Sequence, residues 1–132
     1  MGNPRRSNGA RRSALLEWLR HQCRPCWMCG LPIDYSLPPR HPRSFECDEL
    51  LPVSKGGSPY SRGNVDAAHR ECNGWRGAKS VELVIAIRNS VLAEFGGWST
   101  PEEFVARARA VEKSAKKKLA ASSLAVKTTT DW

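Results

Sequence analysis

Long hydrophobic runs are missing from this chain of 132 residues. The longest unbroken apolar stretch, Leu83 to Ile87, spans five residues, against the roughly 20 that a membrane-crossing helix needs. A secretion signal is missing too, because the basic Pro4-Arg5-Arg6 is followed by no apolar segment. The two absences predict a soluble, cytoplasmic protein. An even set of cysteines is also lacking: there are five, and without an export signal their expected use is not in disulfides. There is no internal repeat, and no separate sequence-reading unit such as a helix-turn-helix or an array of fingers.

Negative charge is scarce. Lys plus Arg total 21 against 13 acidic residues, a net charge of +8. The excess is uneven. Residues 1–43 hold eight cations and two anions, 44–79 five of each, and 80–132 eight cations and six anions. A neutral middle between basic flanks suits a central site for chemistry, with flanks that hold a polyanion.

Residues 1–13 are basic and rich in Asn, Ser and Gly, which predicts a flexible arm. Ala14 to His21 reads as a short helix offering Leu15, Leu16, Trp18 and Leu19 to a core. Five prolines between residues 22 and 43 argue for turns. Ser44 to Val53 reads as a strand, a second follows around Asn64 and Val65, and residues 68–76 form a short helix. Ser80 to Phe95 is the clearest helix, with Val81, Val84, Ile85, Val91, Leu92 and Phe95 at three- and four-residue intervals and Gly96-Gly97 as its stop. Thr100-Pro101-Glu102-Glu103 opens a last helix with the makings of a capping box. It is expected to reach about Ala121, with Lys113, Lys116, Lys117 and Lys118 near its end and a loose tail over 122–132.

Two short pairs carry metal chemistry. Cys26-Trp27-Met28-Cys29-Gly30 sets two thiols at ligand spacing, with a glycine that permits the tight turn. His69-Arg70-Glu71-Cys72 repeats the spacing, so Cys26, Cys29, His69 and Cys72 supply the four ligands of a structural Zn²⁺. Cys23 stands at the same spacing from Cys26, but the glycine after Cys29 favours the second choice. Structural zinc contributes folding free energy directly, which a small, turn-rich domain can use.

The stretch from Glu46 to Gly57 (Glu-Cys-Asp-Glu-Leu-Leu-Pro-Val-Ser-Lys-Gly-Gly), followed by Asn64-Val65 and by His69-Arg70-Glu71-Cys72-Asn73-Gly74-Trp75-Arg76-Gly77, closely resembles the HNH endonuclease family. The likeness is greatest to the small zinc-containing members found in bacteriophages and actinobacteria, and it covers residues 26–79. It implies an α+β fold: a zinc-stabilised ββα-metal (His-Me finger) core with flanking helices. With the flanks read from their own residues, the expected division is a flexible basic arm at 1–13, a nuclease domain with its zinc knuckle at 14–95 (core motif 26–79), a C-terminal helix at 96–121 and a flexible tail at 122–132. Carried over by position, Asp48 and Asn73 are ligands of a catalytic cation, and Asn64 is the asparagine that holds the loop in shape. Glu49 occupies the place of the usual general-base histidine. That substitution is the main departure from the family pattern.

Adjacent strand residues point to opposite faces, so Asp48 and Glu49 must diverge around a cation or be turned by the loop. Hard oxygen ligands favour Mg²⁺ or Mn²⁺, and a cation there can stabilise the leaving oxygen of a phosphodiester. Glutamate is a weaker base near neutrality than histidine. Three roles therefore stay open for Glu49: base or water-orienter, additional ligand, or none. Arg76, one turn beyond Asn73, shares its helix face and is expected to contact a phosphate. Arg70, Lys55, Arg62 and Lys79 are weaker candidates for that contact. Trp27 and Trp75 either stack on bases or pack in the core.

Arg5, Arg6, Arg11 and Arg12, with the Pro38–Arg43 loop, predict salt-sensitive binding to DNA of low sequence preference. The expected activity is metal-dependent DNA cleavage, by nicking or weakly specific double-strand cutting. The alternative is a catalytically inactive, zinc-stabilised DNA-binding protein. The family resemblance further implies a role in phage DNA packaging, with the large terminase subunit as a partner.

Overall fold

The structure is a computed structural model that describes the backbone of residues 4–129 and the side-chain surroundings of residues 9–122. The described chain is α+β: helix α1 (Pro4–His21), strands β1 (Phe45–Glu49) and β2 (Val65–His69), then helices α2 (Arg70–Arg76), α3 (Val81–Phe95) and α4 (Pro101–Thr129). The two strands are antiparallel, with Glu49 opposite Val65, Asp48 opposite Asp66 and Phe45 opposite His69. A two-stranded sheet of this size is marginal by itself. Here α1 covers one face and α2 the other.

On the α1 side, Leu15 and Leu19 are buried with Val65, and Cys47 packs against them. The larger core lies on the other side, where Val84, Ile87 and Val91 of α3 meet Phe104, Val105, Ala108 and Val111 of α4. Trp75 and Trp98 close it, with ring centroids 5.4 and 4.8 Å from Phe104. On α3 the side chains of Ile85, Leu92 and Phe95 stay exposed while Ile87 goes inside. The helical period is as expected, but the buried stripe sits to one side of the apolar set.

Helix ends follow local chemistry. The Ser80 hydroxyl accepts the Leu83 N–H at 3.1 Å, and α3 stops where Gly96 adopts φ +78° and donates to Leu92 O. At the start of α4 the Thr100 hydroxyl accepts the Glu103 N–H at 3.1 Å, and the Glu103 carboxylate reaches back to the Ser99 N–H at 2.6 Å. The box thus closes one residue earlier than its usual form. At the start of α2 the carbonyls of Ser44 and Pro42 accept the N–H groups of Arg70 and Glu71, each at 2.8 Å.

Three boundaries differ from expectation. The segment 1–13, read as a flexible arm, is helical from Pro4 onward; residues 1–3 and the side chains of Arg5 and Arg6 lie outside the described residues. Tertiary contacts hold this end: Arg12 donates to Pro59 O at 2.9 Å, and Arg11 lies over the Tyr60 ring at 4.1 Å. At the other end, α4 continues past Ala121 to Thr129, so Lys113 to Lys118 fall in mid-helix rather than at the negative end of the dipole. Of the expected loose tail, residues 130–132 lie outside the described set. The strand expected over Ser44 to Val53 pairs only through Glu49, because Pro52 begins a tight turn over Val53–Lys55.

Candidate functional site

Cys26, Cys29, His69 and Cys72 are all buried, and their ligand atoms lie within 4.8 Å of one another. A tetrahedral zinc with bonds of about 2.3 Å sets its sulfurs about 3.8 Å apart, so the cluster fits that ion. The tight turn closes through Gly30 N–H to Cys26 O at 2.8 Å, with Gly30 at φ +76°. Trp27 N–H then donates to Ala67 O at 3.0 Å, which fastens the turn to β2. His69 lies at the β2–α2 junction. Its Nε2 sits 3.0 Å from the Pro32 carbonyl and Nδ1 3.3 Å from the Cys29 sulfur. Donation from Nε2 to the carbonyl leaves the Nδ1 lone pair facing the thiols, the orientation a metal ligand needs.

The four groups shift one another's proton affinities. Hydrogen bonds from Cys29 and Cys72 push the Cys26 thiol down, while bonds to Cys26 and Cys29, together with burial, push Cys72 up. Burial opposes a charged His69, but its bonds to Cys26 and Cys29 and their charge outweigh that and raise it to about 10. Zinc binding must therefore release protons. Cys23 stands apart: it is exposed, at φ 49°, where α1 ends. Cys47 is a half-buried strand residue whose thiol burial pushes up.

The second group of residues lies along β1. Side chains of alternate residues share a face, so Glu46 and Asp48 look toward α2, while Cys47 and Glu49 look toward α1. Asn73 Nδ2 donates to Glu46 Oε1 at 2.9 Å. One turn on, Arg76 donates to Asp48 Oδ2 at 2.6 Å. The indole of Trp27 donates to the same Oδ2 at 2.9 Å. Burial pushes the Asp48 carboxyl upward, against the pull of the Arg76 guanidinium and the Trp27 hydrogen bond, and the net direction is up. Asp48 and Asn73 thus occupy facing elements, but each pairs with a different neighbour. Asp48 Oδ1 and Asn73 Oδ1 accept none of the described side-chain hydrogen bonds.

Arg76 corrects an expectation. It is 2% exposed and donates to Glu49 O, Leu50 O and Lys79 O, at 2.9, 2.7 and 3.0 Å, as well as to Asp48. Its helix face is packed on β1, so the guanidinium ties the end of the strand to the segment after α2 and meets no phosphate. Lys79 is likewise engaged, with Trp75 O at 2.8 Å and Glu112 at 3.2 Å. Trp75 is buried with its indole bonded to Glu112, and Trp27 packs against the core. The Trp75 ring is closed to a base, while Trp27 stays half-buried. Arg70 lies exposed, bonded to Arg40 O, with Glu46 at 3.8 Å. Lys55 is exposed.

Asn64 closes the loop between the strands. Its side chain accepts the Leu51 N–H at 2.9 Å and donates to Leu51 O and Ser58 O at 2.8 and 3.0 Å. A Cβ on Gly57 would stand 1.7 Å from Leu51 O, so only glycine fits the crossing. Glu49, on the α1 face, is half-buried with Arg12 at 3.6 Å.

Sequence reasoning missed three partners: Glu46 beneath Asn73, Trp27 on Asp48, and Arg12 beside Glu49. The alternation of the strand marks Glu46. Nothing local marks the other two, which arrive from distant segments. Among the described residues no second group of His, Cys, Asp and Glu converges as the thiol cluster does, and no described helix is long and apolar enough to cross a membrane. No family model, curated protein or solved structure matches the chain.

Proposed function

We propose that this chain is a metal-dependent DNA endonuclease of the HNH type, hydrolysing phosphodiester bonds by nicking or weakly specific double-strand cleavage. The observation that carries this reading is the pair of oxygens, Asp48 Oδ1 and Asn73 Oδ1, left without described partners on facing elements β1 and α2. Both are hard donors of the kind Mg²⁺ or Mn²⁺ takes. Asp48 and Asn73 would hold such a cation, and Arg76, bonded to Asp48 Oδ2, would act as a positioning residue. When bound, the cation would offset charge on the scissile phosphate and the leaving 3′ oxygen.

The chain's own residues supply the rest. Glu49, on the wetter face, accepts a proton from the attacking water as its oxygen bonds to phosphorus. The bond from phosphorus to the 3′ oxygen breaks, and that oxygen takes a proton from solvent. Asn64 keeps the loop at the end of β1 in one shape. Supercoiled plasmid incubated with Mg²⁺ or Mn²⁺ tests the reading: nicked and then linear DNA is expected, EDTA stops the reaction, and Glu49→Gln slows it at least about 100-fold, the usual scale of general-base loss.

One observation favours a second reading. Both carboxylates already face arginines, Asp48 with Arg76 and Glu49 with Arg12, which is the arrangement of a zinc-stabilised DNA-binding protein without chemistry. A plasmid that shifts on a gel but stays supercoiled under every metal selects it.

A further inference from the structure

The geometry points to the face of α1 beside Glu49 as the surface that grips the phosphates of duplex DNA, with Arg11 and Arg62 as its two open phosphate contacts. The choice of DNA rests on the reading just given; the surface rests on its own observations.

Arg62 lies over the Trp18 ring at 4.6 Å, with Arg24 near the same ring at 5.3 Å, and Arg11 lies over Tyr60 at 4.1 Å. A guanidinium held over an aromatic ring has less freedom to lose on binding, and its planar fork of N–H donors suits a phosphate. Charge is compensated unequally here. Arg12 has Glu49 at 3.6 Å and Arg24 has Asp66 at 3.5 Å. Arg11 and Arg62 are exposed and have no acidic partner among the described ion pairs. A groove of about 240 Å³ runs between them, lined by Arg11, Leu15, Tyr60 and Arg62.

The face also meets the candidate site. Arg12 joins it to Glu49, so a strand held by Arg11 and Arg62 passes the side of β1 on which Glu49 stands. The other basic surface, around Lys113 and Lys116 on α4, differs: among the described residues no ring lies under those lysines, and neighbouring Lys79 is paired with Glu112.

The test is binding of a fluorescent duplex by anisotropy in EDTA, across a salt series, with the zinc-loaded full chain. Each phosphate contact contributes about 0.9 to the slope of log affinity against log salt. Arg11→Gln/Arg62→Gln is therefore expected to flatten the slope by about 2, with circular dichroism and zinc content unchanged. Arg11→Lys/Arg62→Lys, which keeps the charge, should restore most of it. Lys116→Gln/Lys117→Gln should leave it as in the wild type. The proposal is overturned if the double glutamine variant keeps the full slope, if the α4 variant flattens it instead, or if the wild type does not bind duplex DNA at low salt. Wild-type protein that binds through this face yet never nicks plasmid with Mg²⁺ or Mn²⁺ sinks the nuclease reading and leaves the surface standing.

Discussion

Replacing Arg76 by methionine removes the guanidinium but keeps most of the side chain's bulk. Asp48 then remains in its buried place with only the Trp27 indole as a described donor. Deleting one partner of a buried ion pair costs about 3–5 kcal/mol, a large share of the ~5–15 kcal/mol that holds a domain together. The loss should also depend on pH. Burial already raises Asp48 from its ordinary value despite Arg76, and losing the guanidinium raises it further. A carboxyl that holds its proton more tightly when folded contributes stability that is full below its unfolded pKa and lost as pH rises through its folded pKa, by at most about 1.4 kcal/mol per unit. Urea unfolding of Arg76→Met in the presence of zinc should therefore show a smaller deficit against wild type at about pH 5.5 than at about pH 8. Asp48→Asn/Arg76→Met removes both charges and keeps an acceptor for the Trp27 indole, so it should recover more than half of the loss, a coupling that a mutant cycle reads directly. A deficit below about 1 kcal/mol at both pH values, the scale of a surface pair, would refute this reasoning. So would a double variant no more stable than the single one.

Cys29→Ser or Cys72→Ser should lose the metal, measured as one zinc per chain in the wild type and none in the variant, together with most far-ultraviolet ellipticity; retention of both would show that the ligand set is wrong. Gly57→Ala places a methyl against the Leu51 carbonyl, so it should destabilise the loop by about 1–3 kcal/mol and speed amide exchange at Leu51, whereas wild-type exchange there would contradict the close crossing. Glu102 is held down at about 2 by its hydrogen bonds from Arg43, with both donor–acceptor distances 2.8 Å. Its contribution is present above its ordinary value of 4.5 and is lost as pH falls toward 2. An NMR titration of Arg43→Gln should move Glu102 back toward that ordinary value; a wild-type Glu102 already titrating there would remove the pair from the account.

What the sequence disclosed, and what it hid, divides by the range of the interactions. The caps of α3 and α4 are local chemistry, with Ser80 and Gly96 at the two ends of one helix and Thr100 at the start of the next, so spacing alone revealed them. The thiol pairs are local as well, and only their meeting is tertiary. Arg76 shows the limit. Helical period places it on the same face as Asn73, and that is where it is, but period does not say whether the face meets solvent or a strand. The N-terminal segment shows the same limit from the other side. Its polar residues suggest an arm, yet Arg11 and Arg12 dock on Tyr60 and Pro59, nearly 50 residues away in sequence, and no local pattern records such contacts.

Register decides what Asp48 and Glu49 can do. In the observed pairing Asp48 enters the dry side with Arg76 at 2.6 Å, and Glu49 stands on the wetter side with Arg12 at 3.6 Å. A one-residue slip of β1 would exchange the two faces, setting Glu49 against Arg76 and Asp48 against α1. Five paired residues in a two-stranded sheet do not by themselves forbid that slip. Asn64 does: its backbone carbonyl accepts Leu50 N–H and its side chain grips both Leu51 N–H and Leu51 O, so the first residues after β1 can lie in one place only. Arg76 repeats the constraint through the carbonyls of Glu49 and Leu50. The thiol cluster, joining residues 26–29 to 69–72, fixes β2 and α2 against which both grips act. The asparagine and the arginine therefore contribute to the candidate chemistry without touching a substrate, by making one carboxylate a fixed, buried group and leaving its neighbour at the water's edge.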